Sequence, residues 1–335
     1  MFGFNVNGGD VTSVPGDNRP VVPLAHRTFS QWWGHGLLDH PPVNDTVMQL
    51  PVGQTTNVEL ACDKGATSYW KSSAGTTYLQ DPNGDQNYPC PGAPLSQFHT
   101  NGLNDLGGCA LGVSYKSNAM DVQPNDYTIF SVQHQCVWTR WTAFDVPAAM
   151  PPCPNDKCMC SWFWIHEADS GSEQMYMTTF QCNFPGATST VPVAQGKVPR
   201  RCGADPIRGK LTADLSNCTT GAKLPMYWLQ AEGNNMFEDP MTPPVYNDLY
   251  GFSNGAQHDI FATTDAPPTS TVPPTNPHNQ TNSSPQPANP SLNCARKRSN
   301  DFGTADIKAL LTKRSLRHAG HHVRNKRSTL GHRTP

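Results

Sequence analysis

Long hydrophobic runs are missing from this chain. No segment approaches the ~18 consecutive apolar residues that would span a bilayer, so no membrane-spanning helix is expected. Charge is scarce as well. Asp, Glu, Lys and Arg make up 15% of the residues, and their formal sum is -2. That near-neutral total hides a division. Cys294 to Pro335 holds eleven Lys/Arg against Asp301 and Asp306, leaving thirteen basic and twenty-four acidic residues elsewhere. An acidic body with a basic end argues against nucleic-acid binding, because the positive charge lies outside any segment able to fold. A sustained 3.6-residue apolar period is absent from residues 1–261, which excludes a major helix there. Met1 to Ser30 also lacks an apolar stretch behind a basic start, the mark of an export signal.

Gly and Pro, by contrast, are plentiful at 27 and 32 residues. They interrupt helices and supply turns, so the composition favours a loop-rich all-β protein. Short apolar and aromatic runs fit strands: Val58 to Cys62, Ala110 to Tyr115, Tyr127 to Val132 and Cys160 to His166. Turn clusters at 81–84, 91–92 and 184–186 separate such runs, as in an antiparallel sandwich or barrel. The β domain is expected over residues 1–261. From 262 to 293 the chain turns to Thr, Ser, Asn and Pro, a composition that makes an extended linker. Residues 294–335 read as a basic, largely disordered tail, with one short helix between Thr304 and His318.

Eleven cysteines point to the compartment. Ten lie between Cys62 and Cys218, and Cys294 stands alone. Cys153, Cys158 and Cys160 have no second knuckle of matching spacing, which argues against zinc. Ten cysteines in a polar body fit five disulfides and an oxidising environment. Acceptor tripeptides for N-glycosylation at Asn44, Asn217, Asn279 and Asn282 agree with a secreted, extracellular protein. Disulfides without an export signal lead us to expect that the natural start lies upstream of Met1.

One constellation carries chemistry. Alternate strand residues share a face, so Trp162, Trp164 and His166 point one way, and Gln174 and Tyr176 share a face on the next strand. A hairpin would bring them together, and His99 sits in a turn-rich loop able to approach. Imidazole nitrogen, a phenol at a weak axial position and a Gln-x-Tyr pair suit a type-2 copper site. Read alone, a histidine in a polar loop is usually no ligand, and an inward tyrosine is usually core. His35 and His40, five apart in a Gly/Pro-flanked loop, read as surface groups, and His321-His322 as a weak stray-metal site. Trp32, Trp162 and Trp164 read as core rather than as a sugar-binding face. No pair of carboxylates is distinguished by context, so glycosidase chemistry is disfavoured.

A family resemblance sharpens this. Its segments include Met-Phe-Gly-Phe-Asn-Val (1–6), Asp-Asn-Arg-Pro-Val-Val-Pro-Leu (17–24), Gln31-Trp32-Trp33 and Glu-Leu-Ala-Cys-Asp-Lys-Gly-Ala-Thr (59–67). Others are Trp-Phe-Trp-Ile-His (162–166), Gly-Ser-Glu-Gln-Met-Tyr-Met (171–177) and Pro-Arg-Arg-Cys-Gly-Ala-Asp-Pro (199–206). Tyr-Trp-Leu-Gln-Ala-Glu-Gly-Asn-Asn-Met-Phe (227–237) and Pro-Val-Tyr-Asn-Asp (244–248) complete the set. Together, over about residues 1–252, they resemble auxiliary activity family 14, fungal lytic polysaccharide monooxygenases associated with xylan on cellulose. The linker and tail fall outside the resemblance.

The resemblance implies an immunoglobulin-like sandwich holding one copper in a histidine brace. It makes His99 the second brace histidine, Tyr176 the axial ligand and Gln174 an outer-shell group, with His166 as its companion. The first brace histidine is a mature N-terminus in the family, yet the first histidine here is His26. A start site displaced by one exon, or a relative that has lost its copper site, would each account for that. The implied activity is oxidative cleavage of xylan or xylan-coated cellulose by a secreted monomer fed by an external electron donor. A non-catalytic copper- or carbohydrate-binding protein of the same fold is the alternative. Hairpin closure and the resemblance both suggest pairing of sequence neighbours: Cys62–Cys90, Cys109–Cys136, Cys153–Cys158, Cys160–Cys182 and Cys202–Cys218. In the tail, Lys-Arg-Ser occurs at 297–299, 313–315 and 326–328, which suggests proteolytic removal after Arg298. An electrostatic tether to acidic cell-wall glycans and a dimer through Cys294 are the competing roles.

Overall fold

The aromatic run from Cys160 to His166 lies in a central strand of the large sheet. β6, Cys158–His166, is buried at all nine positions, and that explains why it shows no polar alternation. A strand covered on both faces has no reason to alternate. Around it, in a computed structural model, the order of the large sheet is β1-β7-β6-β3-β4-β8. Its other members are β1 (Met48–Gln49), β3 (Cys109–Ser114), β4 (Thr128–Gln133), β7 (Gln174–Asn183) and β8 (Gly255–Ala256). A second sheet pairs β2 (Thr55–Glu59) with β5 (Trp141–Asp145). The structure describes residues 3–4, 23–42, 45–61, 67, 87–89, 100, 102–103, 106–166, 174–236 and 243–262, all within one compact unit.

Each face of the large sheet has its own cover. The face of Trp162, Trp164 and Phe180 packs against Val58 and Phe144 of the small sheet, with Leu50, Val146 and Met150 filling in. The opposite face, carrying Ala110, Phe163, Met175 and Met177, is closed by irregular chain bearing Trp32, Trp33, Tyr227, Trp228 and Tyr246. Buried loops need their polar groups satisfied, and here aromatic side chains do part of that. Trp33 Nε1 donates to Val122 O at 3.2 Å, the Tyr227 hydroxyl to Pro124 O at 2.7 Å, and the Met226 N–H to the Tyr246 hydroxyl at 3.0 Å. The result is an all-β sandwich with unequal sheets. The single α-helix among the described residues, Phe29–Trp32, is four residues long, and Gln31 Oε1 accepts the Thr28 N–H at its start.

One pairing departs from the antiparallel expectation. β1 runs parallel to β7, with Met48 opposite Cys182. Nearly the whole sheet intervenes in sequence between them, so the chain returns by a long crossover, the connection a parallel pair requires. Among the described residues four disulfides join Cys109–Cys136, Cys153–Cys158, Cys160–Cys182 and Cys202–Cys218. Cys62 and Cys90, like Cys294, lie outside the described residues.

Candidate functional site

The hairpin of β6 and β7 is in register, with Trp164 opposite Tyr176 and His166 opposite Gln174. That register puts five side chains on one sheet face: Trp162, Trp164, His166, Gln174 and Tyr176. The first three are buried, at 8%, 4% and 2% exposure, whereas Gln174 and Tyr176 are half-buried. Burial therefore ends, and access begins, at the start of β7. Tyr176 Oη donates to Gln174 Oε1 at 2.5 Å. The phenol ring lies on the Trp164 indole, centroids 4.6 Å apart and planes at 23°. His166 stands edge-on to the other side of the cluster, 5.7 Å from Trp164. Burial pushes the Tyr176 hydroxyl up to about 12, so at neutral pH it keeps its proton and serves as the donor in this bond.

Sequence reasoning thus anticipated the meeting of Gln174, Tyr176 and His166. His99 falls outside the described residues, as do Asn44, Asn279 and Asn282. Among the described residues no group of three His, Cys, Asp or Glu side chains is placed to hold a metal ion. Gln174 and Tyr176 suit the edge of a copper site, as a hydrogen-bonding amide and a neutral phenol oxygen. The nitrogen ligands that such a site requires are not among the described residues. Asn217 is half-buried, and its amide nitrogen donates to Arg201 O at 2.8 Å.

His35 corrects the sequence reading. It is not a surface group: its Nε2–H donates to Met177 O of β7 at 2.7 Å. Burial depresses the ring to about 4, and the nearby Arg27 charge acts in the same direction against the opposing pull of that hydrogen bond. The imidazole is therefore neutral and fixed as the Nε2–H tautomer, with Nε2 committed to the strand carbonyl. It braces the strand between Tyr176 and Thr178 from outside. No spacing rule reveals a side chain that bonds to backbone 142 residues away. His40 remains near the surface beside Asp39. Trp32, Trp162 and Trp164 are core, as expected.

A family model described as "Lytic polysaccharide monooxygenase AA14" matches residues 1–332, running past the body to which the sequence resemblance had been confined. AA14 family lytic polysaccharide monooxygenase B of Trametes coccinea (strain BRFM310) is 53% identical over 261 residues, covering 78% of this chain and 60% of that protein. Monooxygenase B of Pycnoporus cinnabarinus is 54% identical over 261 residues, 78% of this chain and 68% of its own. Monooxygenase A of Trametes coccinea (strain BRFM310) is 50% identical, again over 78% of this chain and 59% of its own length. The aligned part is thus about three fifths of the first relative. With a family model spanning nearly its full length and relatives at half identity or better, the chain belongs to the AA14 family of lytic polysaccharide monooxygenases.

Proposed function

We propose that the whole protein cleaves polysaccharide oxidatively at a copper site at the start of β7, with xylan or xylan-coated cellulose as substrate. The observation carrying this reading is the Tyr176–Gln174 pair, bonded at 2.5 Å where the sheet face opens to solvent, in a chain of the AA14 family. His99 and Tyr176 would hold the metal, together with the amino-terminal histidine that the family resemblance assigns to the brace. Imidazole nitrogen suits copper, and a phenol oxygen would serve as a weaker further ligand. When bound, copper supplies the one-electron chemistry that oxidises a C–H bond beside a glycosidic linkage.

The chain's own residues set the surroundings. Trp164 fixes the plane of the phenol from beneath, and Gln174 fixes its hydroxyl from the side. Tyr176 would offer the metal a phenol oxygen whose position is already set by its hydrogen bond to Gln174. The bond to Tyr176 also holds Gln174 Oε1 in place, which turns the amide N–H group to the other side, where it can orient a reacting oxygen species. Disulfides among the described residues support an oxidising, extracellular setting.

The test uses the whole protein with its amino terminus as secreted, copper, a small-molecule reductant and xylan-coated cellulose. Mass spectrometry should find oxidised oligosaccharides that vanish with a chelator or without reductant, and Tyr176→Phe should lower their yield at least tenfold. Products that are only hydrolysed, or yields indifferent to copper, would overturn the proposal.

A further inference from the structure

The outer face of the small sheet leaves Thr55, Asn57, Trp141 and Asp145 exposed. Along β5 the exposure alternates, so Trp141, Ala143 and Asp145 point away from the core while Thr142 and Phe144 point into it. Opposite them in register stand Glu59, Asn57 and Thr55. Trp141 is 42% exposed, the one tryptophan among the described residues in the exposed class. An exposed indole flanked by polar side chains on a regular strand is uncommon as mere surface, since cores claim most tryptophans.

This indole is held ready rather than loose. Its own backbone N–H donates to Asn87 Oδ1 at 2.8 Å, and its carbonyl accepts the Thr139 hydroxyl at 3.1 Å. The Arg140 guanidinium lies over one face of the ring, 5.7 Å from the centroid. Arg140 is itself buried and faces Glu59 at 3.4 Å, so its charge is balanced locally. A cation on one face leaves the other for a ligand.

At the far end of the same face the strip runs into a cavity of about 730 Å³. Gln54, Thr55, Asp145, Asn254, His258 and Asp259 are among its lining residues. Asp145 Oδ1 accepts the Thr55 hydroxyl at 2.5 Å, and the Asn254 side-chain oxygen accepts the His134 N–H at 2.8 Å. Gly255, at φ 89°, makes the space for this carboxylate: a Cβ there would lie 2.9 Å from Asp145 Oδ2. No Lys or Arg lines the cavity, while two carboxylates do: Asp145, and Asp259 with the buried Lys223 behind it at 3.5 Å. Anionic ligands are therefore disfavoured and hydroxyl-rich, uncharged ones favoured. From Trp141 to Asp145 the strand runs about 13 Å at ~3.3 Å per residue, with only the small Ala143 between them.

We infer that the outer face of β2 and β5, from the Trp141 indole to the Asp145 cavity, is a second polysaccharide-binding strip. Its occupant is an extended, uncharged glycan. A sugar ring stacks its C–H face on the indole, and hydroxyl groups further along the chain bond to Asp145, Gln54 and Asn254. The strip is separate from the proposed copper site. β7 and β8 lie four strand spacings apart in the large sheet, about 19 Å at ~4.8 Å each, and the cavity lies at the β8 edge. It would anchor the protein to its substrate without touching the bond that is cut.

The test is titration of the full chain with xylohexaose and with cellohexaose, in the presence of a chelator, followed by tryptophan fluorescence and calorimetry. At least one probe should bind. Trp141→Ala should weaken that binding at least tenfold and Asp145→Asn severalfold, while Tyr176→Phe leaves it within twofold. Ala143→Glu, which puts a charge in the middle of the strip, should also weaken it tenfold, and it reads the same face should Trp141→Ala fold poorly. Polygalacturonate should bind more weakly than the neutral probes. Binding of neither probe at millimolar concentration overturns the inference. So does binding that survives both Trp141→Ala and Ala143→Glu, or that is lost in Tyr176→Phe instead. Because copper is absent throughout, failure here is distinguishable from failure of the oxidative reading.

Discussion

Tyr176 and Gln174 meet because a strand places residues two apart on one face, and the bond between them is short because both ride the same stretch of β7. That pairing was legible before any coordinates: a Gln-x-Tyr on a strand admits little else. His35 was not legible, because its partner is a backbone carbonyl remote in sequence and its neighbours, Gly34 and Gly36, look like an ordinary surface loop. Both glycines and His35 itself have positive φ, at 53°, 64° and 60°, and this left-handed turn swings the imidazole onto β7. The consequence is a pH effect with a definite sign. The ring is neutral in the fold down to about 4 but protonates near 6.5 when unfolded. The unfolded chain thus binds more protons between those values, and stability falls as pH falls through that window. Above 6.5 the full contribution is present; below 4 the loss is complete. Trimmed for the part of the ring that reaches water, the loss is about 2 kcal/mol. His35→Gln keeps a donor and cannot titrate. Urea unfolding at pH 7 and pH 4.5 should give a smaller drop for this variant than for the natural protein, and an equal drop would assign the effect to other groups.

β7 is also where the fold solves an edge problem. A strand at the end of a sheet leaves alternate carbonyls and N–H groups open to pairing with another chain. Only Cys182 and Asn183 of β7 pair with β1. Further along, separate pieces of chain take over. The Leu24 N–H donates to Met175 O at 2.8 Å, His35 to Met177 O, the Phe4 N–H to Thr179 O at 3.3 Å and the Leu50 N–H to Asn183 O at 2.9 Å. The outward carbonyls are thus capped one at a time by residues that, for the most part, belong to no strand. In hydrogen exchange, the Leu24 and Leu50 amides should be protected to within tenfold of the central β6 amides. Exchange at the rate of exposed loops would show that the edge is open. At this scale the sequence was partly readable. β3, β4, β6 and β7 announced themselves by apolar or alternating runs, but β1 and β8 are two residues each and too short to carry a pattern. β5 alternates too, as Trp-Thr-Ala-Phe-Asp, but over five residues with apolar side chains on both faces the alternation gives no sign of which face is inward. The face now inferred to bind glycan is hidden in the sequence for that reason.

For the molecule as a whole, the described disulfides divide by environment. Cys109–Cys136, Cys153–Cys158 and Cys160–Cys182 all sit in the core cluster between the two sheets, alongside Phe130, Phe144 and Phe180. Cys202–Cys218 staples irregular chain instead, and Cys218 is half-buried. A thiolate must reach a sulfur to exchange with it, so the first three are shielded by the sheets and the fourth only by a loop. The framework also explains how a chain with so much irregular structure holds together. Closing loops of 27, 22 and 16 residues removes entropy from the unfolded state, about 3 kcal/mol each in the chain-entropy account. That cooperation implies an order of reduction. With dithiothreitol at neutral pH and no denaturant, followed by alkylation and peptide mass mapping, Cys202 and Cys218 should be labelled first among the described cysteines. The six core cysteines should stay oxidised until the fold opens, then become labelled together at the rate of global unfolding. Adding urea below the unfolding midpoint should speed the core set and leave the Cys202–Cys218 rate nearly unchanged. If a core pair is reduced as fast as Cys202–Cys218 in the folded protein, the sheets do not shield it, and the division of the framework into a sealed core and an accessible loop staple is wrong.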